Sequence, residues 1–116
     1  MSFRDDVNAF CATLPGAEVS DPWGGGHDAW KVGGKMFASI GAMQTGVSVK
    51  TADPDFAAML IEQGTAVRAP YFHASWVHLP EGTDMDEARH RIAVSYDLIR
   101  SKLTKKAQAA LPPRAE

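Results

Sequence analysis

Cysteine is all but missing from this chain. Cys11 stands alone, which excludes an intramolecular disulfide and any zinc site built from clustered thiolates. It follows Phe10 on a stretch with helical spacing and reads as a packed or half-buried thiol rather than a nucleophile. Long apolar runs are missing too, since none approaches the roughly 20 residues of a membrane-spanning helix. The opening SFRDDVN lacks the basic start and apolar stretch of a secretion signal, so the expected location is cytoplasmic, with no membrane partner. Net charge is small, −2 with a pI near 6.0. Tight, indiscriminate binding to nucleic acid by the whole surface is therefore excluded, because phosphate neutralisation supplies most of that affinity. Any such contact must use a local patch.

What is present suffices for one core. The 116 residues, 45% of them hydrophobic, predict a single domain over 1–116, expected to be a monomer, with a tail from about residue 107 that frays. Ser2 with Asp5 caps a first helix in which Phe3, Val7, Phe10 and Leu14 form one buried stripe, and Pro15-Gly16 stops it. From 17 to 50 the pattern shifts to short alternating runs, AEVS, AWKV, MFASI and VSVK, divided by glycine turns. Gly33-Gly34 fits a two-residue hairpin that brings Lys31 and Lys35 together. In VSVK, Val47 and Val49 point one way while Ser48 and Lys50 point the other.

Asp53-Pro54 starts a second helix with Phe56, Leu60 and Ile61 inside, ended by Gly64. TAVRAPY and ASWVHLP read as two further strands, the second at an edge because it closes at Pro80. Thr83 with Asp86 caps a final helix whose core stripe is Ile92, Tyr96, Ile99 and Leu103. The fold class is therefore α+β. It has two layers, an antiparallel sheet covered by helices, in the order α, three or four β, α, two β, α.

The small net charge conceals a polarised chain. Seven of the 12 basic residues lie from Arg89 onward against two acids, Asp97 and Glu116, a balance of +5 that leaves −7 for residues 1–88. On the final helix Arg89 and Arg100 flank one side of the apolar stripe, Arg91 and Lys102 the other, each pair almost three turns apart. Lys105 and Lys106 extend the charge. Basic residues also favour helix C-termini and snorkel along core edges, which accounts for part of the pattern without any ligand. If the sheet and the helix end share an edge, Lys31, Lys35 and Lys50 join Arg100, Lys102, Lys105 and Lys106 in a nucleic-acid or anion-binding surface. Trp23 and Tyr96 are its candidate groove or stacking residues, whereas Trp30 alternates with Lys31 as a buried strand residue should.

Other motifs fall short of chemistry. PWGGGH at 22–27 has neither a dinucleotide fingerprint nor a Walker ending and no helix follows it, so it reads as a mobile turn beside a groove. His27, His73, His78 and His90 match no metal spacing, and no metal or other cofactor is expected. No catalytic constellation is visible, and the chain is not expected to be an enzyme.

Several pieces, in order, carry a family resemblance. LPG at 14–16, PWG at 22–24, KVGGKMFA at 31–38, VSVK, the Trp76 strand and the tail SYDLIRSKL together resemble the MmcQ/YjbR family. The match departs at Thr104, where the family often has proline, and in the extra glycines of GGGH. The resemblance implies a CyaY-like, or double-wing, two-layer fold and a label of DNA binding. Weak, sequence-independent phosphate contact through the basic edge is the functional expectation. The alternative is a non-enzymatic module that receives an acidic protein or a small anionic ligand. Ser95 and Tyr96 correspond to the family's serine-tyrosine pair. Tyr96 is expected to pack with its hydroxyl on a polar partner, and Ser95 to bond the preceding turn's carbonyl.

Overall fold

The computed structural model describes residues 2–22, 24–43, 46–70 and 72–114. Helix α1 (Phe3–Ala12) begins at the capping box formed by Ser2 and Asp5. Four strands follow, β1 (Glu18–Ser20), β2 (Asp28–Val32), β3 (Lys35–Ile40) and β4 (Val47–Lys50), then α2 (Pro54–Glu62), β5 (Val67–Arg68), β6 (Trp76–Leu79), α3 (Met85–Ser101) and α4 (Lys105–Ala109). The strands form one six-stranded sheet in the order β1-β2-β3-β4-β6-β5, and every pairing is antiparallel. Strand β6 is therefore not an edge. Pro80 lies just past its end and removes no ladder bond, while two-residue β5 takes the outer position.

Alternation divides the sheet into two faces. Val47 and Val49 pair with Leu79 and Val77, and all four are fully buried. Ser48, Lys50, His78 and Trp76 take the other face. On the covered side α3 packs against β2, β3 and β4, α1 leans on α3, and α2 sits on β5 and β6. Among the expected core residues Leu14, Val47, Val49, Leu60, Ile92 and Tyr96 are buried in one cluster, with Phe3, Phe10 and Ile99 packed at its margin. Ile61 is exposed, and Ala57 takes its expected place inside. Cys11 is fully buried and burial pushes its thiol up to about 12, so it stays protonated and inert at neutral pH.

The centre of the sheet contains an irregularity that α3 repairs. Trp30 pairs with Ala38 but Lys31 pairs with Met36, leaving Phe37 as an extra residue in β3. A bulge of this kind disrupts the ladder and leaves backbone groups without their usual partners. Beyond the Ala38–Val49 pair, the Ser95 hydroxyl fills the gap. It donates to the Phe37 carbonyl (2.6 Å) and accepts from the Lys50 amide (2.9 Å). Ser95 therefore bonds across to the sheet and not to the preceding helical turn. Beside it the Tyr96 ring meets Phe37 edge-on at 5.3 Å, and the Tyr96 hydroxyl donates to the Pro15 carbonyl.

The C-terminal segment also departs from expectation. Asp84, not Thr83, caps α3, accepting from the Asp86 and Glu87 amides. Thr104, standing where the family often has proline, caps the short helix α4 through the Ala107 amide. The segment expected to fray from 107 runs instead through the end of α4 to Leu111, which packs against the core. Arg114 reaches back to Asp97 at 2.9 Å.

Candidate nucleic-acid interface

The lysines converge because of how the central hairpin ends. Gly33 and Gly34 take φ of +58° and +82°, the left-handed pair that a primed two-residue turn requires. A side chain on Gly33 would run into Leu103, so the hairpin tip rests on the chain just past α3. Lys31 pairs with Met36 and Lys35 with Val32, so the two lysines flank this turn on opposite faces of the hairpin. Lys50 closes β4 at the same end of the sheet, because β4 runs antiparallel to β3. Its amine lies below its usual pKa, first through burial and then through the charge of Lys102. Lys102 caps α3 and is exposed, as are Lys105 and Lys106 at the start of α4.

The chain has six lysines: Lys31 and Lys35 flank the hairpin turn, Lys50 ends β4, Lys102 caps α3, and Lys105 and Lys106 open α4. Among the described residues none forms an ion pair, whereas Arg4, Arg89, Arg91 and Arg114 are bridged to carboxylates. Glu18, directly across from Lys31 in the ladder, is the nearest acid by register. Lys50 is the most constrained of the six. Its Nζ donates to Ser75 Oγ at 2.9 Å, and that hydroxyl also meets His73 Nδ1 at 2.9 Å.

Two candidates do not join the edge. Arg100 donates to the Tyr96 hydroxyl and to the Pro112 carbonyl, both at 2.8 Å, so its guanidinium fastens the C-terminal segment. Tyr96 is fully buried, with Arg100 and Arg114 over its ring. It offers no face for a base. Trp23 lies outside the described residues. Trp30 is buried as expected, and its indole donates to Asn8.

Sequence reasoning missed the aromatic pair that does lie here. Trp76 stands directly across from Lys50, and Phe72 stacks on it with centroids 4.6 Å apart and planes at 19°. Both are partly buried. Alternation with Val77 would have put Trp76 on the face away from the core; its register with Lys50 depends on a non-sequential pairing that no local pattern reveals.

The glycine loop is at the far end of β2. Asp21 accepts from the Gly26 and His27 amides, and Arg4 binds the Gly26 and Gly41 carbonyls together with Asp28. It is a tethered turn remote from the lysines. His27 turns to Asp21 and the Gly24 carbonyl, while Asp28 is held by Arg4 and Asn8, so the two do not form an acid-base pair. Two shallow concavities of about 350 and 420 Å³ lie elsewhere. The first is lined by Asp55 and Glu62 and the second by Glu81, Asp84 and Glu87. Carboxylate linings repel anions. No helix among the described residues is long and apolar enough to cross a membrane.

A six-stranded antiparallel sheet with helices on one face and lysines gathered at one end defines a small α+β domain of a known kind. The family model described as YjbR matches residues 12–98, most of the chain, and the protein belongs to that family. Its fold is similar to the crystal structure of Deinococcus radiodurans protein DR2400, whose domain is described as DUF419. The TM-score is 0.83 at 24% identity, over 100% of this chain and 94% of that one. A search of curated proteins found no match.

Proposed function

We propose that this protein binds nucleic acid weakly and without sequence preference, through phosphate contacts made by the lysine edge. The observation that carries the reading is the segregation of cation types. Arginines are largely consumed by the fold, while all six lysines stand at one end without a carboxylate partner among the described residues. The remaining six arginines face 14 acids, so the rest of the molecule is strongly acidic. A polyanion would be attracted at the lysine end and repelled elsewhere, which fixes its orientation and limits its affinity.

An extended ligand suits this edge better than a small one. The lysines come from a hairpin, a strand end, a helix end and a short helix, spread over an open surface. The two shallow concavities described above are lined by carboxylates. Lysine contributes a flexible point charge without the planar fork that reads a base edge, which agrees with phosphate contact and little base readout.

The test is a salt titration on duplexes of unrelated sequence. Binding is expected to be weak at low salt, similar among sequences, and linear in log–log form with a slope of about −0.9 per phosphate neutralised. The double variant Lys102→Glu, Lys105→Glu should weaken all duplexes alike and flatten the slope by about 1 for each phosphate that is no longer neutralised. Absence of binding at low salt, or strong preference for one sequence, would contradict the proposal. In the first case an acidic protein or small anion becomes the ligand to seek.

A further inference from the structure

We infer that the ligand of this edge is single-stranded, with an unpaired base stacking on the Trp76–Phe72 pair while its phosphates lie along Lys50 and Lys102. The inference rests on the phosphate-binding reading and adds to it the class of strand. Trp76 opens β6 on the face opposite the buried Val77 and Leu79, and Lys50 is its cross-strand neighbour. Directly opposed residues of an antiparallel pair have Cβ atoms about 5 Å apart. Phe72 backs the indole in a near-parallel stack, so the indole is presented as a supported platform rather than a loose side chain.

The lysine beside it is also positioned. Ser75 holds the Lys50 ammonium at 2.9 Å, and Ser75 is itself buried and bonded to His73. An ammonium has three donors, so two are left for a phosphate. A fixed cation next to a supported aromatic face matches what an unpaired nucleotide offers, one anionic group and one π-face. A duplex offers only the anion, since its base faces are stacked inside. Electrostatics alone would favour the duplex, whose higher charge density releases more counterions per phosphate. A preference for the single strand must therefore come from the bases.

The experiment compares a thymidine homopolymer oligonucleotide with a duplex of unrelated sequence at one salt concentration, by fluorescence anisotropy. The wild-type protein should hold the single strand more tightly. Trp76→Ala and Phe72→Ala should each weaken single-strand binding, the former by about tenfold, the scale of one base–aromatic stack. They should leave the salt slope and the duplex affinity unchanged, and Trp76→Phe should retain most of the binding. Lys102→Glu, Lys105→Glu should instead weaken both ligands and flatten both slopes. If Trp76→Ala unfolds by circular dichroism, the wild-type comparison and Phe72→Ala decide. Duplex binding as tight as single-strand binding, or a single-strand affinity indifferent to both aromatic substitutions, overturns the inference while leaving phosphate binding intact. Failure to bind either ligand removes both.

Discussion

Replacing Ser95 by alanine is expected to destabilise the fold by roughly 2–5 kcal/mol, a large loss for removing one oxygen atom. The hydroxyl is fully buried and serves two backbone groups at once, the Phe37 carbonyl and the Lys50 amide. A buried backbone group left without a partner costs about 1–3 kcal/mol, and here two lose theirs together. The pairing of β3 with β4 stops at Ala38 and Val49, and the hydroxyl stands between the two groups in place of a direct bond. Urea unfolding of the variant measures the loss. A midpoint equal to wild type would mean that β3 and β4 close up when the hydroxyl is absent, and the bulge would then depend on Ser95 rather than on the pairing of β2 with β3.

Ile92→Ala should cost about as much, roughly 2–5 kcal/mol, by a different route. Ile92 is fully buried on the face of α3 that meets the sheet, and truncation there forfeits the transfer energy of the removed carbons together with the packing around the cavity left behind. Ile99, seven residues on, lies at the core margin and should cost less. Ile61 is exposed, and alanine there should change stability by no more than about 0.5 kcal/mol. Equilibrium unfolding of the three variants therefore ranks them Ile92, Ile99, Ile61. A larger loss at Ile99 than at Ile92 would place the buried side of α3 elsewhere, and a large loss at Ile61 would do the same for α2.

The parts of this fold that local chemistry controls could be read from sequence. The capping box at Ser2, the Asp53-Pro54 start of α2 and the Gly33-Gly34 turn each satisfy a requirement within a few residues, and each stands where expected. Errors arose where the deciding partner is distant in sequence. Pro80 suggested an edge for β6, yet β5, which lies within the segment read as the strand TAVRAPY, pairs with its outer side. Ser95 looked like a helical serine bonding its own turn; its true partners are 58 and 45 residues away. Ile61 has helical spacing, but the sheet beneath α2 receives Ala57 and Leu60.

The candidate edge was legible in the same measure. Six lysines could be named because they carry charge in recognisable places, and the glycine hairpin placed two of them at one turn, although the register sets them on opposite faces. Arg100 fits the same charge pattern, but a carbonyl in the C-terminal segment, Pro112, claims it along with the Tyr96 hydroxyl. Tyr96 fits the description of an aromatic beside basic residues, but the covered face of the sheet buries it. Trp76 took its place at the edge only once the pairing of β4 with β6 was known, because that pairing brings together residues separated by a helix and another strand.

Amide chemical-shift mapping by NMR at low salt tests the central claim most directly. On titration with a thymidine oligonucleotide, the perturbed amides should be those of Lys31, Lys35, Lys50, Trp76, Lys102, Lys105 and Lys106, with α2 and the Arg4–Asp28 end of the sheet unmoved. The shifts should collapse as salt is raised. Perturbations centred on α2 or on the glycine loop, or a spectrum that does not change at any oligonucleotide concentration, would contradict the assignment of the lysine edge as a nucleic-acid surface.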